Sequence, residues 1–186
     1  QQNEFFGYGE SAPLPGFGLE TFEETYAALV EWSKSPHVLP TLPAALSGAN
    51  TALHYLEQAK SHICLPSGSL AVQALISATD TSTLEQQVTD AINDGYRAVK
   101  LKVAATDTMT DMQRIEIATN LTDTHTLLRL DANGGWTKQE ALEVLTSTNS
   151  SRIALVEEPT SDPSDWGKIK EETGIRVGAD EHLTDQ

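Results

Sequence analysis

From residue 70 onward, short apolar runs with period-two alternation repeat along the chain. AVQALISA, RAVKLKV, TLLRLDA, RIALVEE and IRVGADE each read as a strand. Their centres fall near residues 75, 100, 129, 155 and 177, in steps of 25, 29, 26 and 22. Between them the apolar spacing changes to a helical period. Leu84, Val88, Ala91 and Ile92 share one face before the stop signal Gly95, and Met112 and Ile115 belong to the next helix. Thr137 and Glu140 form a capping box ahead of ALEVL, and Trp166 and Ile169 precede Gly174. A strand–helix unit repeated at this period implies a parallel sheet and an α/β fold, either an open doubly wound sheet or part of a (β/α)8 barrel. No GxGxxG follows the first strand, which disfavours a dinucleotide-binding sheet.

Residues 1 to about 65 carry a different pattern. FFGYGE is strand-like and SAPLPGFG is a Pro/Gly-rich loop. Thr21 and Glu24 open a helix whose apolar face is Phe22, Tyr26, Leu29 and Val30, and a second helix is expected over LPAALSGANTALHYLEQAK. The chain therefore divides into an α+β part, residues 1–65, and a βα-repeat part, residues 66–186. It opens on Gln in what reads as the second half of a hairpin and stops just past a strand, so it is expected to be a fragment.

Alternation places the polar residues of the repeat. In AVKLKVA, Val99, Leu101 and Val103 form one face, and Lys100 and Lys102 the other. With Leu128 and Leu130 facing out, Asp131 and Asn133 face in; Ile153, Leu155 and Glu157 share a face, as do Gly178 and Asp180. In parallel α/β sheets ligands bind beyond the carboxyl ends of the strands. Asp131, Glu157 and Asp180 converge there from three successive strands, 26 and 23 residues apart. Three gathered carboxylates repel one another unless a cation neutralises them, and a hard divalent ion such as Mg2+ suits an all-oxygen donor set. A lysine beside a cation and a second lysine has its neutral form favoured, which suits a general base. An isolated KxK would read as an edge strand; the carboxylates arriving in phase make it part of a site. Glu158 and Glu181 face away under strict alternation and suit supporting ion pairs.

Composition narrows the partners. Hydrophobic residues make up 39% of the 186, enough for a packed core, and the net charge of −15 disfavours nucleic acid and anionic membrane surfaces. No apolar run approaches the ~20 residues of a spanning helix, and no basic region followed by an apolar one is seen at the start, so no export signal is expected. The single cysteine, Cys64, cannot form an internal disulfide, which fits a reducing compartment and a small buried apolar role.

The succession KLK, LRLDAN, LVEEP and GADEHL resembles the enolase superfamily in its muconate-lactonising branch, along essentially the whole chain. GYGESAPLPGF and LRLDANGGW are similar to segments of that superfamily's o-succinylbenzoate synthases. The resemblance implies an incomplete (β/α)8, TIM-type barrel of about five βα units behind a partial α+β capping domain with a substrate-covering loop. It implies a cytoplasmic, Mg2+-dependent lyase of menaquinone biosynthesis, acting on a small-molecule carboxylate by α-proton abstraction and loss of water. Lys102 would be the base and Lys100 would tune it. Asp131, Glu157 and Asp180 would hold the metal, Asn133 would orient the site, and Pro15, Gly16 and Phe17 would cover the substrate.

It also implies a further lysine on a sixth strand that this chain does not contain, so turnover by 186 residues alone is not expected, and an open barrel edge works against stability. A dipeptide epimerase or N-acylamino acid racemase of the same superfamily would share the metal site and use both lysines. A non-catalytic Mg2+-binding receiver domain is a different class, but it would carry paired acids at the first strand, where this chain has ALIS. An inactive truncated product is a further alternative.

Overall fold

The end of each βα unit is set by local chemistry. Asp80, Asp107 and Thr137 accept a backbone N–H from the first turns of the helices that follow them, satisfying donors that have no partner within a helix. Gly174 closes the last helix in the left-handed region (φ 71°), which a glycine adopts without steric cost. The computed structural model describes residues 5–16, 18–61 and 68–183; Phe17 and Cys64 lie outside them.

The chain forms two units, Gln1–Gly68 and Ser69–Gln186. The first contains α1 (Phe22–Lys34) and α2 (Pro43–Lys60). The Thr21–Glu24 capping box is present. The expected apolar face of α1 is largely in water, however: Phe22, Tyr26 and Val30 are exposed, and the helix's buried residue is Thr25. FFGYGE also departs from expectation, since residues 6–14 form no strand. Instead Gly7 and Gly9 bring the backbone against α2, where a Cβ at either would fall 1.9 Å from the carbonyl oxygen of Ala52 or Gly48. Leu42 gives α2 no side-chain cap; the buried Glu20 accepts the Ala44 N–H in its place.

The second unit alternates β1 (Ala74–Ile76), α3 (Thr81–Asn93), β2 (Ala98–Lys102), α4 (Thr108–Leu121), β3 (Leu127–Asp131), α5 (Lys138–Ser147), β4 (Ile153–Glu157), α6 (Trp166–Thr173) and β5 (Val177–Gly178). All pairings are parallel and the spatial order is β1-β2-β3-β4-β5. This order separates the two architectures left open by the sequence. A doubly wound sheet reverses strand order at a switch point, whereas an unbroken sequential order is an arc of a (β/α) barrel. The outward residues Val99, Leu101, Leu128, Leu130 and Val156 are fully buried and pack with Leu84, Val88, Ile115, Val144, Leu145 and Ile169 of the helices.

One alternation differs from expectation. Leu128 pairs with Ile153, but Arg129 pairs with Leu155, so the register shifts by one residue at Ala154. Ile153 therefore joins the buried outer face with Leu128, while Leu155 and Glu157 keep the phase of Arg129 and Asp131. The irregularity holds Glu157 level with Asp131.

Candidate active site

The register draws the site as a row across the sheet. Lys102 is partnered with Asp131, Asp131 with Glu157, and Glu157 with Gly178. All lie at the carboxyl ends of their strands. Asp131 is fully buried, and its Oδ2 accepts from both ammonium groups, at 2.7 Å from Lys100 Nζ and 2.6 Å from Lys102 Nζ. Lys100 also donates to Glu157 Oε1 at 2.9 Å. Lys102 donates to Asn133 Oδ1 at 2.6 Å, and Asn133 Nδ2 donates to Glu181 Oε1 at 2.6 Å. Asn133 reaches this bridging position with a left-handed backbone (φ 45°).

Electrostatics follows from these contacts. Burial works against the charge on Asp131, but the hydrogen bonds from Lys100 and Lys102 outweigh it and hold the carboxyl below its ordinary range. Burial likewise disfavours the Lys100 ammonium, and its bonds with Asp131 and Glu157 more than compensate, so its pKa is raised. Glu157 is pushed up, first by burial and further by the Asp131 charge and the Asp180 carboxyl, against the pull of Lys100.

Asp180 lies two residues beyond Gly178 in an exposed segment. Glu158, which faces away from the row, is buried and holds that segment: its Oε1 accepts the N–H of Asp180 at 2.6 Å and of His182 at 3.2 Å, and its Oε2 bonds His182 Nδ1 at 2.5 Å. Trp166 packs edge-on against the His182 ring at 5.3 Å between centroids. Glu158 and His182 thus position Asp180. Of the expected substrate-covering residues, Pro15 and Gly16 form a turn in the first unit, with Gly16 at φ 89°, and Phe17 lies outside the described residues.

Among the described residues no three His, Cys, Asp or Glu side chains are gathered as a ready metal cluster. The donor chemistry nevertheless suits a hard cation. Asp131, Glu157 and Asp180 offer only oxygen, two ammonium groups stand beside three carboxylates, and the Asp131 charge adds to burial in raising Glu157.

A second buried group escaped the strand-by-strand reading. Asp111 and Arg114, on α4, contact the end of β2 and the turn after it. The i, i+3 spacing of an acid and a base in DMQR was the available signal, but Met112 and Ile115 alone mark that helix's core face by pattern.

The enolase C-terminal domain-like family matches residues 83–186, and the chain belongs to that family. An o-succinylbenzoate synthase of Citrobacter koseri is 33% identical over 181 residues, covering 95% of this chain and 55% of that protein, so the chain spans about half the length of this relative. The o-succinylbenzoate synthase of Thermosynechococcus elongatus, solved with Mg in its active site, is 26% identical with a TM-score of 0.69, covering 97% of this chain and 59% of that one. A dipeptide epimerase of Cytophaga hutchinsonii, solved with Mg and D-Ala-L-Val, shares the fold at 22% identity and TM-score 0.76, over 95% of this chain and 54% of that one. No described helix is long and apolar enough to cross a membrane.

Proposed function

We propose that this chain carries the lysine and carboxylate face of a lyase that dehydrates 2-succinyl-6-hydroxy-2,4-cyclohexadiene-1-carboxylate to o-succinylbenzoate, a step of menaquinone biosynthesis. The observation that carries the reading is the Lys102 ammonium, held on Asp131 and Asn133 at the mouth of the sheet. Lys102 acts through its amine form, which takes the proton α to the substrate carboxylate. The electron pair left behind expels the ring hydroxyl, and the proton on Lys102 Nζ leaves with it as water. Lys100 supplies fixed positive charge one pleat deeper, and Asn133 holds the Lys102 Nζ in line. Asp131, Glu157 and Asp180 would hold Mg2+, which when bound supplies positive charge beside the substrate carboxylate as its proton leaves. Pro15, Gly16 and Phe17 are assigned to substrate binding, and residues 1–65 to a capping domain, on the resemblance of their sequence alone.

The test is dehydration by the intact protein with Mg2+. Formation of the aromatic product, lost on chelation, is expected. If no aromatic product forms, but L-Ala-L-Glu exchanges its α-proton in D2O, the protein is an epimerase and the dehydratase reading fails.

A further inference from the structure

We propose that Asp111 and Arg114 are positioning residues for Lys102: the pair fastens the Lys102 carbonyl, the Ala104 turn and the Trp136 indole to α4, and so fixes where the Lys102 ammonium stands. The inference rests on the role given to Lys102 above. Both side chains are buried, Asp111 at 0% and Arg114 at 1% exposure, three residues apart on α4. Arg114 Nη1 is 3.0 Å from Asp111 Oδ1. Arg114 Nη2 donates to the Lys102 carbonyl at 2.8 Å, at the carboxyl end of β2, and to the Ala78 carbonyl at 2.7 Å, just beyond that of β1. Asp111 Oδ2 accepts the Ala104 N–H at 2.8 Å and the Trp136 indole N–H at 3.0 Å, and Oδ1 accepts the Thr106 hydroxyl at 2.9 Å.

Two features show that this arrangement does not serve packing alone. A buried ion pair is commonly no more stabilising than apolar side chains of equal volume. Here it also leaves Arg114 Nε buried with no hydrogen-bond partner among the described residues, which costs stability. The pair further sustains Ala104 at φ 63°, a left-handed conformation that is strained for a residue with a Cβ. That turn is where the chain leaves β2, two residues after Lys102. Trp136, tied to the same carboxylate, ends the loop that begins at Asn133, the other partner of the Lys102 ammonium. One pair of side chains thus fixes both the backbone that carries the base and the loop that carries its partner.

The experiment compares two double variants in the intact protein. D111L/R114M keeps the volume and removes every bond; D111N/R114Q removes the charge and keeps hydrogen-bonding groups. The expected result for the apolar pair is an unchanged or raised Tm, KM within about twofold, and kcat lower by about 10- to 100-fold. The polar pair is expected to restore kcat to within about threefold of the parent. An independent reading is the side-chain ammonium NMR signal of Lys102, assigned by its loss in K102A. It should broaden away in the apolar pair while that of Lys100 persists, and return in the polar pair.

A folded apolar pair that keeps its kcat and its Lys102 signal would overturn the inference and leave the two residues as core packing. If the apolar pair does not fold, the polar pair decides: a kcat loss above about tenfold at unchanged Tm counts against the proposal. If the parent shows no dehydration, the proposed reaction has failed, and the NMR signals still decide whether Asp111 and Arg114 position Lys102.

Discussion

Lys100 and Lys102 differ in what their ammonium groups meet. Lys100, with its side chain 14% exposed, sits between two carboxylates, Asp131 and Glu157. Lys102, 30% exposed, meets one carboxylate and one amide and stands a pleat nearer the mouth of the sheet. Removing Lys100 leaves Asp131 and Glu157 as neighbouring carboxylates with less compensation. K100A should therefore lose roughly 1–3 kcal/mol of stability in urea denaturation. K102A exposes less uncompensated charge, because Lys100 still bonds Asp131, and should lose under about 1 kcal/mol. Activity should divide the other way. Loss of a general base costs about 100- to 10,000-fold in kcat, and K102A should fall in that range while retaining its fold and Mg2+ binding. A K102A protein with near-parental turnover would remove Lys102 from the chemistry.

At the scale of elements, side-chain caps mark where α1, α3, α4 and α5 begin, and the aspartate caps among them titrate. Asp80 caps α3, and its pKa falls from 3.8 to about 2, chiefly through the Thr83 N–H and with help from the Ser82 hydroxyl. A carboxyl whose folded pKa is depressed contributes stability that is complete above the unfolded value and is lost as pH falls through the folded one. In D80N the amide still caps but cannot titrate. The stability difference between parent and D80N should therefore shrink as pH drops from about 4 to about 2 and be constant above, as read by urea midpoints at each pH. Glu20 caps α2 from a loop, and E20A should lose about 1 kcal/mol in thermal denaturation.

These two caps also show what sequence patterns can carry. Thr21 and Thr137 act within three residues and carry a Glu at the fourth position of a capping box, so spacing along the chain exposes them; Asp80 acts as locally but has no such partner to mark it. Glu20 acts across 24 residues, and no local pattern marks it. The same limit governs the candidate site. The alternation in AVKLKVA and LLRLDAN places Lys100, Lys102 and Asp131 on the inner face because those strands are regular, whereas Asn133, past the end of β3, reaches the site through a left-handed turn. In RIALVEE it fails at Ala154, where only the partner strand reveals the shifted register. Asp111 and Arg114 stayed hidden because their partners are backbone groups of other elements.

At the scale of the whole molecule, the two units differ in how much apolar surface each buries within the described residues. The main buried cluster runs from Ile76 to Ile175 and draws every member from the second unit. It contains Ile76, Leu84, Leu101, Ile115, Leu128, Leu130, Leu145, Ile169 and Ile175 at under 2% exposure. Each such side chain contributes about 1.5–3 kcal/mol on burial. Against this stand the edges of β1 and β5, which no other described strand pairs, and β5 is only two residues long. The first unit buries Ala45, Ala49 and Leu56 while leaving Phe22, Tyr26, Val30, Val38, Leu39 and Tyr55 exposed, too little apolar burial to offset the ordering of two helices. Residues 69–186 expressed alone should therefore unfold in a single cooperative urea transition, with coincident circular dichroism and tryptophan fluorescence. Residues 1–68 alone should show no such transition. Because Asp131, Glu157 and Asp180 all lie in the second unit, that segment should also bind Mg2+ by calorimetry and lose binding in D131A. A cooperative transition in 1–68, or its absence in 69–186, would show that the core is not where the burial places it.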